Sequence, residues 1–186
     1  MVESLNSETM QLDKIGLFYG SDTGNTETIA HLIATYWKGD PLIVHDIYDV
    51  SIDEIIKFDR IIFGLSTWHD GQIVSGFDEI IDELRSTDFS GKKVALFGLG
   101  DQFGYGEYFL DAMGILAGIL LDNGAELIGE WPTKGYDYEA SKADRGDGYF
   151  YGLGIDEDNQ DYLTEKRIHE WILLIKDNVC PSECRT

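Results

Sequence analysis

Short, mostly apolar stretches alternate along the chain with longer stretches in which apolar residues recur every three or four positions. The apolar stretches predict strands at residues 15–19, 42–45, 60–65, 94–99 and 127–131. The helical spacing predicts helices at residues 26–37, 77–84, 108–123 and 162–178. Strands that are apolar throughout suit a parallel sheet covered on both faces. The alternation therefore predicts an α/β fold with a doubly wound five-stranded parallel sheet in the order 2-1-3-4-5 and helices on both faces.

One segment interrupts this alternation. Residues 132–154 are rich in Gly, Asp and Tyr and end in a short apolar run. We interpret them as an insertion that splits the fifth strand into halves at residues 127–131 and 149–153. Long loops in compact domains often carry function. A partner-facing or merely stabilising role for the insertion is at least as compatible with its composition.

The turn after the first strand, residues 20–26, leads directly into a helix and is dense in hydroxyl groups. The hydroxyls of Ser21, Thr23 and Thr26, together with the N–H groups at the start of the helix, can bind an anion such as phosphate. The turn contains neither Lys nor Arg, which argues against a nucleotide triphosphatase loop, whose lysine reaches the outer phosphates. This phosphate turn therefore predicts a site for one terminal phosphate, held by neutral donors.

Two further loops are expected to meet the phosphate turn. Ligands of such sheets bind beyond the carboxyl ends of the strands, where the loops after the first, third and fourth strands converge. Trp68 and Tyr105 lie in the second and third of these loops, where water is expected. A flat aromatic ligand stacked between them would bury both rings. The alternative is that each ring packs against its own loop.

Charge limits the possible partners. The 186 residues include 14 basic and 35 acidic side chains, for a net charge of −21. Nucleic acid and anionic membranes are therefore excluded as expected partners, and encounters with a basic protein surface are favoured. The alternative is an acidic surface that only aids solubility. No apolar run approaches the length of a membrane span.

The ends of the chain indicate the compartment and the domain limits. Residues 1–7 lack the features of a secretory signal or a transit peptide. Cys180 and Cys184 are interpreted as exposed thiols in a tail, because two cysteines make no disulfide framework or metal site. Both observations are consistent with the cytoplasm. We expect an N-terminal extension (1–13), one domain (14–178) and a C-terminal tail (179–186).

Taken in order, these motifs resemble the flavodoxin family of FMN-binding electron carriers. The resemblance rests on residues 20–26 (Gly-Ser-Asp-Thr-Gly-Asn-Thr), 67–68 (Thr-Trp) and 98–102 (Gly-Leu-Gly-Asp-Gln) with Tyr105, and it extends from about Lys14 to Lys176. Residues 131–133, 135–136 and 156–160 are similar to the long-chain class, whose fifth strand is split.

The resemblance implies a role for each matching residue. The FMN phosphate would be held by Ser21, Asp22, Thr23, Gly24, Asn25 and Thr26. Trp68 would cover one face of the isoalloxazine ring and Tyr105 the other. The edge of the ring would be bonded by the loops that contain Ser66, Thr67, His69, Asp70 and Gly71, and Leu99, Gly100 and Asp101. The peptide between His69 and Asp70 would face flavin N5 and turn on reduction. A positive φ would be costly there, because neither residue is glycine.

His69 departs from the residues expected after this Trp. We expect it to be exposed; the alternative is that its charge tunes the redox potential.

The resemblance also implies a function. The chain would transfer single electrons at low potential, with its FMN shuttling between semiquinone and hydroquinone. Its partners would be redox proteins with basic surfaces, such as a ferredoxin–NADP reductase. It would need no catalytic residues and no metal, and we expect a monomer.

Two other functions compete with this interpretation. An FMN-dependent NAD(P)H:quinone reductase shares the fold, but rings stacked on both flavin faces would leave no room for hydride transfer. A response-regulator receiver needs a phosphorylatable Asp at the end of the third strand, where this chain has Ser66, Thr67 and Trp68.

Overall fold

The computed structural model describes residues 14–179. The predicted N-terminal extension and the predicted C-terminal tail, apart from Val179, lie outside the described residues. Cys180 and Cys184 therefore also lie outside them.

The described residues form nine strands and five α-helices. The strands are β1 (Ile15–Tyr19), β2 (Leu42–Asp46), β3 (Arg60–Trp68), β4 (Gln72–Ile73), β5 (Lys93–Leu99), β6 (Glu126–Ile128), β7 (Trp131–Pro132), β8 (Tyr149–Phe150) and β9 (Leu153–Ile155). The helices are α1 (Asn25–Tyr36), α2 (Ile52–Ile55), α3 (Ser75–Ser86), α4 (Asp111–Asp122) and α5 (Asp161–Val179). The four predicted helices are present with shifted ends, and the short α2 was not predicted.

The central sheet confirms the predicted topology. Its parallel strands follow the order β2-β1-β3-β5, and both β6 and β9 pair with the far edge of β5. Strand β6 pairs with Lys93–Ala95 and β9 with Phe97–Leu99, so the two strands are the halves of a split fifth strand. The predicted limits of these halves were wrong. Trp131 and Tyr149 lie instead in a separate antiparallel ribbon formed by β7 and β8.

Both faces of the sheet are covered, as continuously apolar strands require. All five residues of β1 are buried. Leu17 packs in a cluster with residues of α1 and α5, including Trp171, while Phe18 packs on the opposite face in a cluster that contains Phe77 and Leu116. The alternation of side chains across a strand therefore gives one core on each face.

The third strand is longer than predicted. Ser66, Thr67 and Trp68 are the last residues of β3 rather than part of a loop. The strand extends because β4 folds back on it as an antiparallel hairpin, in which Thr67 is opposite Ile73 and Trp68 is opposite Gln72. Only residues 69–71 turn. Trp68 thus lies in a regular strand, where pairing with Gln72 fixes its backbone and hence the direction in which its side chain leaves the sheet.

Candidate functional site

A cleft opens at the carboxyl edge of the sheet, where the three predicted segments meet. Its lining residues are Thr23, Asn25, Thr26, Ser66, Thr67, Trp68, His69, Leu99, Gly100, Asp101, Tyr105, Glu157 and Asp158. The phosphate turn, the Trp68 hairpin (residues 66–73) and the Tyr105 loop (residues 100–105) therefore share one site. Most of the residues singled out in the sequence lie on its wall.

The phosphate turn is held in place by backbone and hydroxyl contacts. The Gly20 N–H donates to the Gly64 carbonyl at 2.9 Å, which joins the turn to β3. Helix α1 begins after Gly24, whose φ of 91° is a left-handed conformation that glycine adopts without strain. The Gly24 N–H donates to Ser21 Oγ at 3.0 Å. These contacts leave the start of α1, with Asn25 and the buried Thr26, facing the cleft.

The Trp68 hairpin presents an oriented ring. The indole N–H of Trp68 donates to Ser66 Oγ at 2.9 Å, and the ring is partly buried. His69 is exposed and has a φ of 43°, which is rare for a residue other than glycine. Gly71 completes the turn with a φ of 86°. The positive φ that we expected to be costly is therefore present at His69, where it reverses the chain after Trp68.

The Tyr105 loop is shaped by one carboxylate. Asp101 Oδ1 accepts N–H groups from Phe103 at 3.0 Å and Gly104 at 2.7 Å, and the Asn159 side-chain amide at 2.8 Å. A Cβ at Gly104 would lie 2.1 Å from Asp101 Oδ2, so a larger residue there would displace the carboxylate that shapes this turn. The Tyr105 side chain is 50% exposed. A ring that is half exposed at the rim of a cleft offers a face to a ligand.

Several predicted residues support the wall instead of lining it. Ser21 accepts the Gly24 N–H, and Asp22 Oδ2 accepts the Ser75 hydroxyl at 3.1 Å, which ties the turn to α3. Asp70 is exposed at the tip of the hairpin, and Gly71 is buried there. Gly24 acts as the cap of α1.

Two lining residues, Glu157 and Asp158, were not predicted as part of the site. They follow β9, the second half of the split strand, and so reach the same edge of the sheet. In the sequence, their segment is distinguished only by its similarity to the long-chain class. The position of residues 156–160 after a strand was the signal that could have found them.

The acidic groups of the cleft influence one another. Burial, followed by the charges of Asp101 and Asp156, raises the pKa of Asp158. Burial alone would raise the pKa of Asp101. The hydrogen bonds from the Gly104 N–H, the Asn159 amide and the Phe103 N–H outweigh burial and hold that pKa below its usual range. Asp101 is thus the more firmly ionised carboxylate of the two.

The donor set of the cleft fits a particular kind of ligand. Neutral N–H and hydroxyl groups at one end suit a phosphate ester, and two aromatic side chains suit a flat ring. Among the described residues that line the cleft, none is Lys or Arg. Within residues 14–179, no helix is both long and apolar enough to cross a bilayer, and no cluster of His, Cys, Asp or Glu is arranged to hold a metal ion.

Comparison with known proteins gives consistent results. The model of the family described as Flavodoxin matches residues 17–171. A flavodoxin of Picosynechococcus sp. is 45% identical over 166 residues, which are 89% of this chain and 97% of that protein. Flavodoxin 1 of Escherichia coli is 44% identical over 164 residues, 88% of this chain and 93% of that protein. Among solved structures, the Fusobacterium nucleatum flavodoxin bound to flavin mononucleotide has a TM-score of 0.84 at 34% identity, covering 89% of this chain and 98% of that one.

Proposed function

The chain belongs to the flavodoxin family, and on this basis we propose that it binds FMN in the cleft and carries single electrons between redox proteins. The observation that carries the proposal is the convergence of the phosphate turn, Trp68 and Tyr105 on one cleft. Bound FMN would supply the redox chemistry, because its ring accepts and releases electrons one at a time. The protein would bind, orient and shield it.

The phosphate would lie at the start of α1. Its donors would be the first N–H groups of the helix and the hydroxyls of the turn, with the helix dipole favouring the anion. Ser21, Asp22, Thr23, Gly24, Asn25 and Thr26 form this end of the site. Since the turn has no cation, it would anchor the phosphate without adding positive charge near the ring.

The ring would lie between Trp68 and Tyr105. Backbone groups of Ser66, Thr67, His69, Asp70 and Gly71, and of Leu99, Gly100 and Asp101, would bond its edge. The hydrogen bond from Trp68 to Ser66 supports this placement, because it fixes the angle of the indole before any ligand arrives. The peptide between His69 and Asp70 would respond to the protonation state of the ring.

The acidic surroundings would lower the potential of the second electron. With an effective dielectric constant of about 20, one unit charge about 16 Å away disfavours added negative charge by about 1 kcal/mol. That is roughly 40 mV for one electron, since about 59 mV corresponds to about 1.4 kcal/mol. Asp101, Glu157 and Asp158 line the cleft itself. Together they could lower this potential by on the order of 100 mV, so that the working couple is semiquinone and hydroquinone.

The net charge of −21 also bears on the partners. It favours redox proteins with basic surfaces, such as a ferredoxin–NADP reductase, through attraction that salt weakens. We further propose that the carrier works as a monomer in the cytoplasm. Transfer rates to such a reductase should fall steeply as ionic strength rises. Rates that do not depend on salt would contradict electrostatic steering.

An anaerobic redox titration of the FMN-loaded protein tests the carrier function. We expect two separate one-electron steps, with a blue neutral semiquinone between them. Two coincident steps without that species would refute the shuttle. Fast NADPH-dependent quinone turnover by the purified protein would instead support a quinone reductase. A protein that does not bind added FMN would refute the proposal as a whole.

A further inference from the structure

Asp156 is a buried carboxylate next to the cleft. It follows β9 directly and is 0% exposed, yet it is not among the residues that line the cleft. A buried charge is costly unless hydrogen bonds compensate it. No salt bridge to Asp156 is found within the described part of the chain. Its surroundings must therefore supply several donors.

Those donors come from two loops. From the Tyr105 loop, Gln102 donates its backbone N–H to Asp156 Oδ2 at 3.1 Å and its side-chain amide at 2.7 Å. From the loop after β9, the N–H groups of Asp158 and Asn159 donate to Oδ1 at 3.2 and 3.0 Å. The Asn159 side-chain amide is 3.0 Å from each oxygen. Hydrogen bonds to a charged group are stronger than neutral ones, so this carboxylate joins the two loops firmly.

The same donors connect Asp156 to the wall of the cleft. Besides its bond to Asp156, the Asn159 side-chain amide donates to Asp101 Oδ1 at 2.8 Å. Gln102 Oε1 accepts the N–H of Asp137, in the insertion, at 2.7 Å. Gln102 is itself only 2% exposed. Asp156 therefore holds Gln102 by direct hydrogen bonds and Asp101 through Asn159, and both residues precede Tyr105 in its loop.

We propose that Asp156 is a positioning residue, which fixes the Tyr105 loop so that it binds the ring end of FMN. This inference rests on the proposed function and assigns a role to a residue that would not touch the cofactor. An Asn at this position would turn an NH₂ group toward N–H donors, so at least one hydrogen bond would be lost. The phosphate turn lies outside the network and would be unaffected.

The test compares Asp156→Asn with Asp137→Asn, which removes the same charge from an exposed side chain outside the cleft, while the backbone N–H of residue 137 can still donate to Gln102. Affinities for FMN and for riboflavin, which lacks the phosphate, are measured by fluorescence quenching where circular dichroism shows each apoprotein to be folded. We expect Asp156→Asn to weaken both ligands about tenfold, by equal factors. Asp137→Asn should change each by less than about threefold. Thr26→Ala should weaken FMN much more than riboflavin.

Each other outcome decides against a part of this account. If the two Asn variants lose the same affinity, Asp156 acts only through its charge, and its positioning role is overturned. An unchanged affinity in Asp156→Asn would do the same. If that variant does not fold, Gln102→Met, which removes one partner of the carboxylate, must weaken FMN and riboflavin by equal factors or the role is refuted. A wild-type protein that binds neither ligand would overturn the proposed function and this inference together.

Discussion

Replacing Lys142 with Met tests how strongly the insertion holds the Trp68 hairpin. The Lys142 ammonium lies 2.6 Å from Asp111 Oδ2 at the start of α4, and its backbone N–H donates to Asp111 Oδ1 at 2.8 Å. Helix α4 in turn contacts the hairpin, because the Ala112 N–H donates to Thr67 Oγ1 at 3.1 Å. A Cβ at Gly71 would be 2.7 Å from Asp111 Oδ2. The ion pair therefore lies directly behind the wall of the cleft.

The magnitude follows from the separation and the exposure. At 2.6 Å, the attraction is about 1.6 kcal/mol in bulk water and about 6 kcal/mol at a dielectric constant of about 20. The Asp111 side chain is 4% exposed, but that of Lys142 is 56% exposed. Solvent therefore screens the pair, and the attraction is close to the smaller of the two energies. Met keeps most of the alkyl chain, and the backbone hydrogen bond remains. We expect a loss of about 2 kcal/mol in the free energy of unfolding.

Urea unfolding at a fixed excess of FMN measures this loss. With a slope of about 2 kcal/mol per molar urea, the midpoint should fall by about 1 M. Lys166→Met is the matched control, because it removes the same charge from an exposed pair in which Lys166 and Glu170 are 3.9 Å apart. Exposed pairs contribute roughly 0–1 kcal/mol, so its midpoint should move by less than about 0.5 M. Equal shifts in the two variants would refute the reasoning from burial.

Two further predictions concern the turn and the insertion. Gly24→Ala should destabilise the protein by about 1 kcal/mol, because Gly24 has a φ of 91° although a Cβ there would meet no atom within 4 Å. The control is Gly118→Ala on α4, where a Cβ would also meet no atom within 4 Å but the φ is not positive; it should stabilise the protein by about 0.5–1 kcal/mol. Calorimetry should therefore show a lower melting temperature for Gly24→Ala and a higher one for Gly118→Ala. Shifts of the same sign in both variants would contradict the argument from φ. Burial and the Asp144 carboxylate raise the pKa of Tyr138 to about 12 from 10.0. The resulting stability is complete below pH 10 and is lost as the pH rises to 12, so denaturation midpoints should fall less over this range in Tyr138→Phe than in the wild type.

The pattern of apolar residues was sufficient for the sheet but not for the ends of its strands. The parallel strands could be predicted because all of β1, residues 61–65 of β3 and residues 94–99 of β5 are buried and almost continuously apolar. The hairpin after β3 could not, because β4 has two residues and no pattern of its own. Trp131 extended an apolar run, but its strand pairs with β8 rather than with the central sheet. The local pattern of apolar residues does not determine which other strand a strand pairs with.

The candidate site also contains a feature that depends on contacts between residues distant in the sequence. Most of its lining could be predicted because a hydroxyl-rich turn without Lys or Arg opens a helix, and because Trp68 and Tyr105 are large aromatic residues near the carboxyl ends of two neighbouring strands. Asp156 could not, because an acidic run such as residues 156–160 is usually a solvated surface. What buries it is Gln102, a partner 54 positions away in the sequence, brought close by the pairing of β9 with β5. The split of the fifth strand is therefore more than a feature of topology, since it delivers a buried carboxylate to the loop that carries Tyr105.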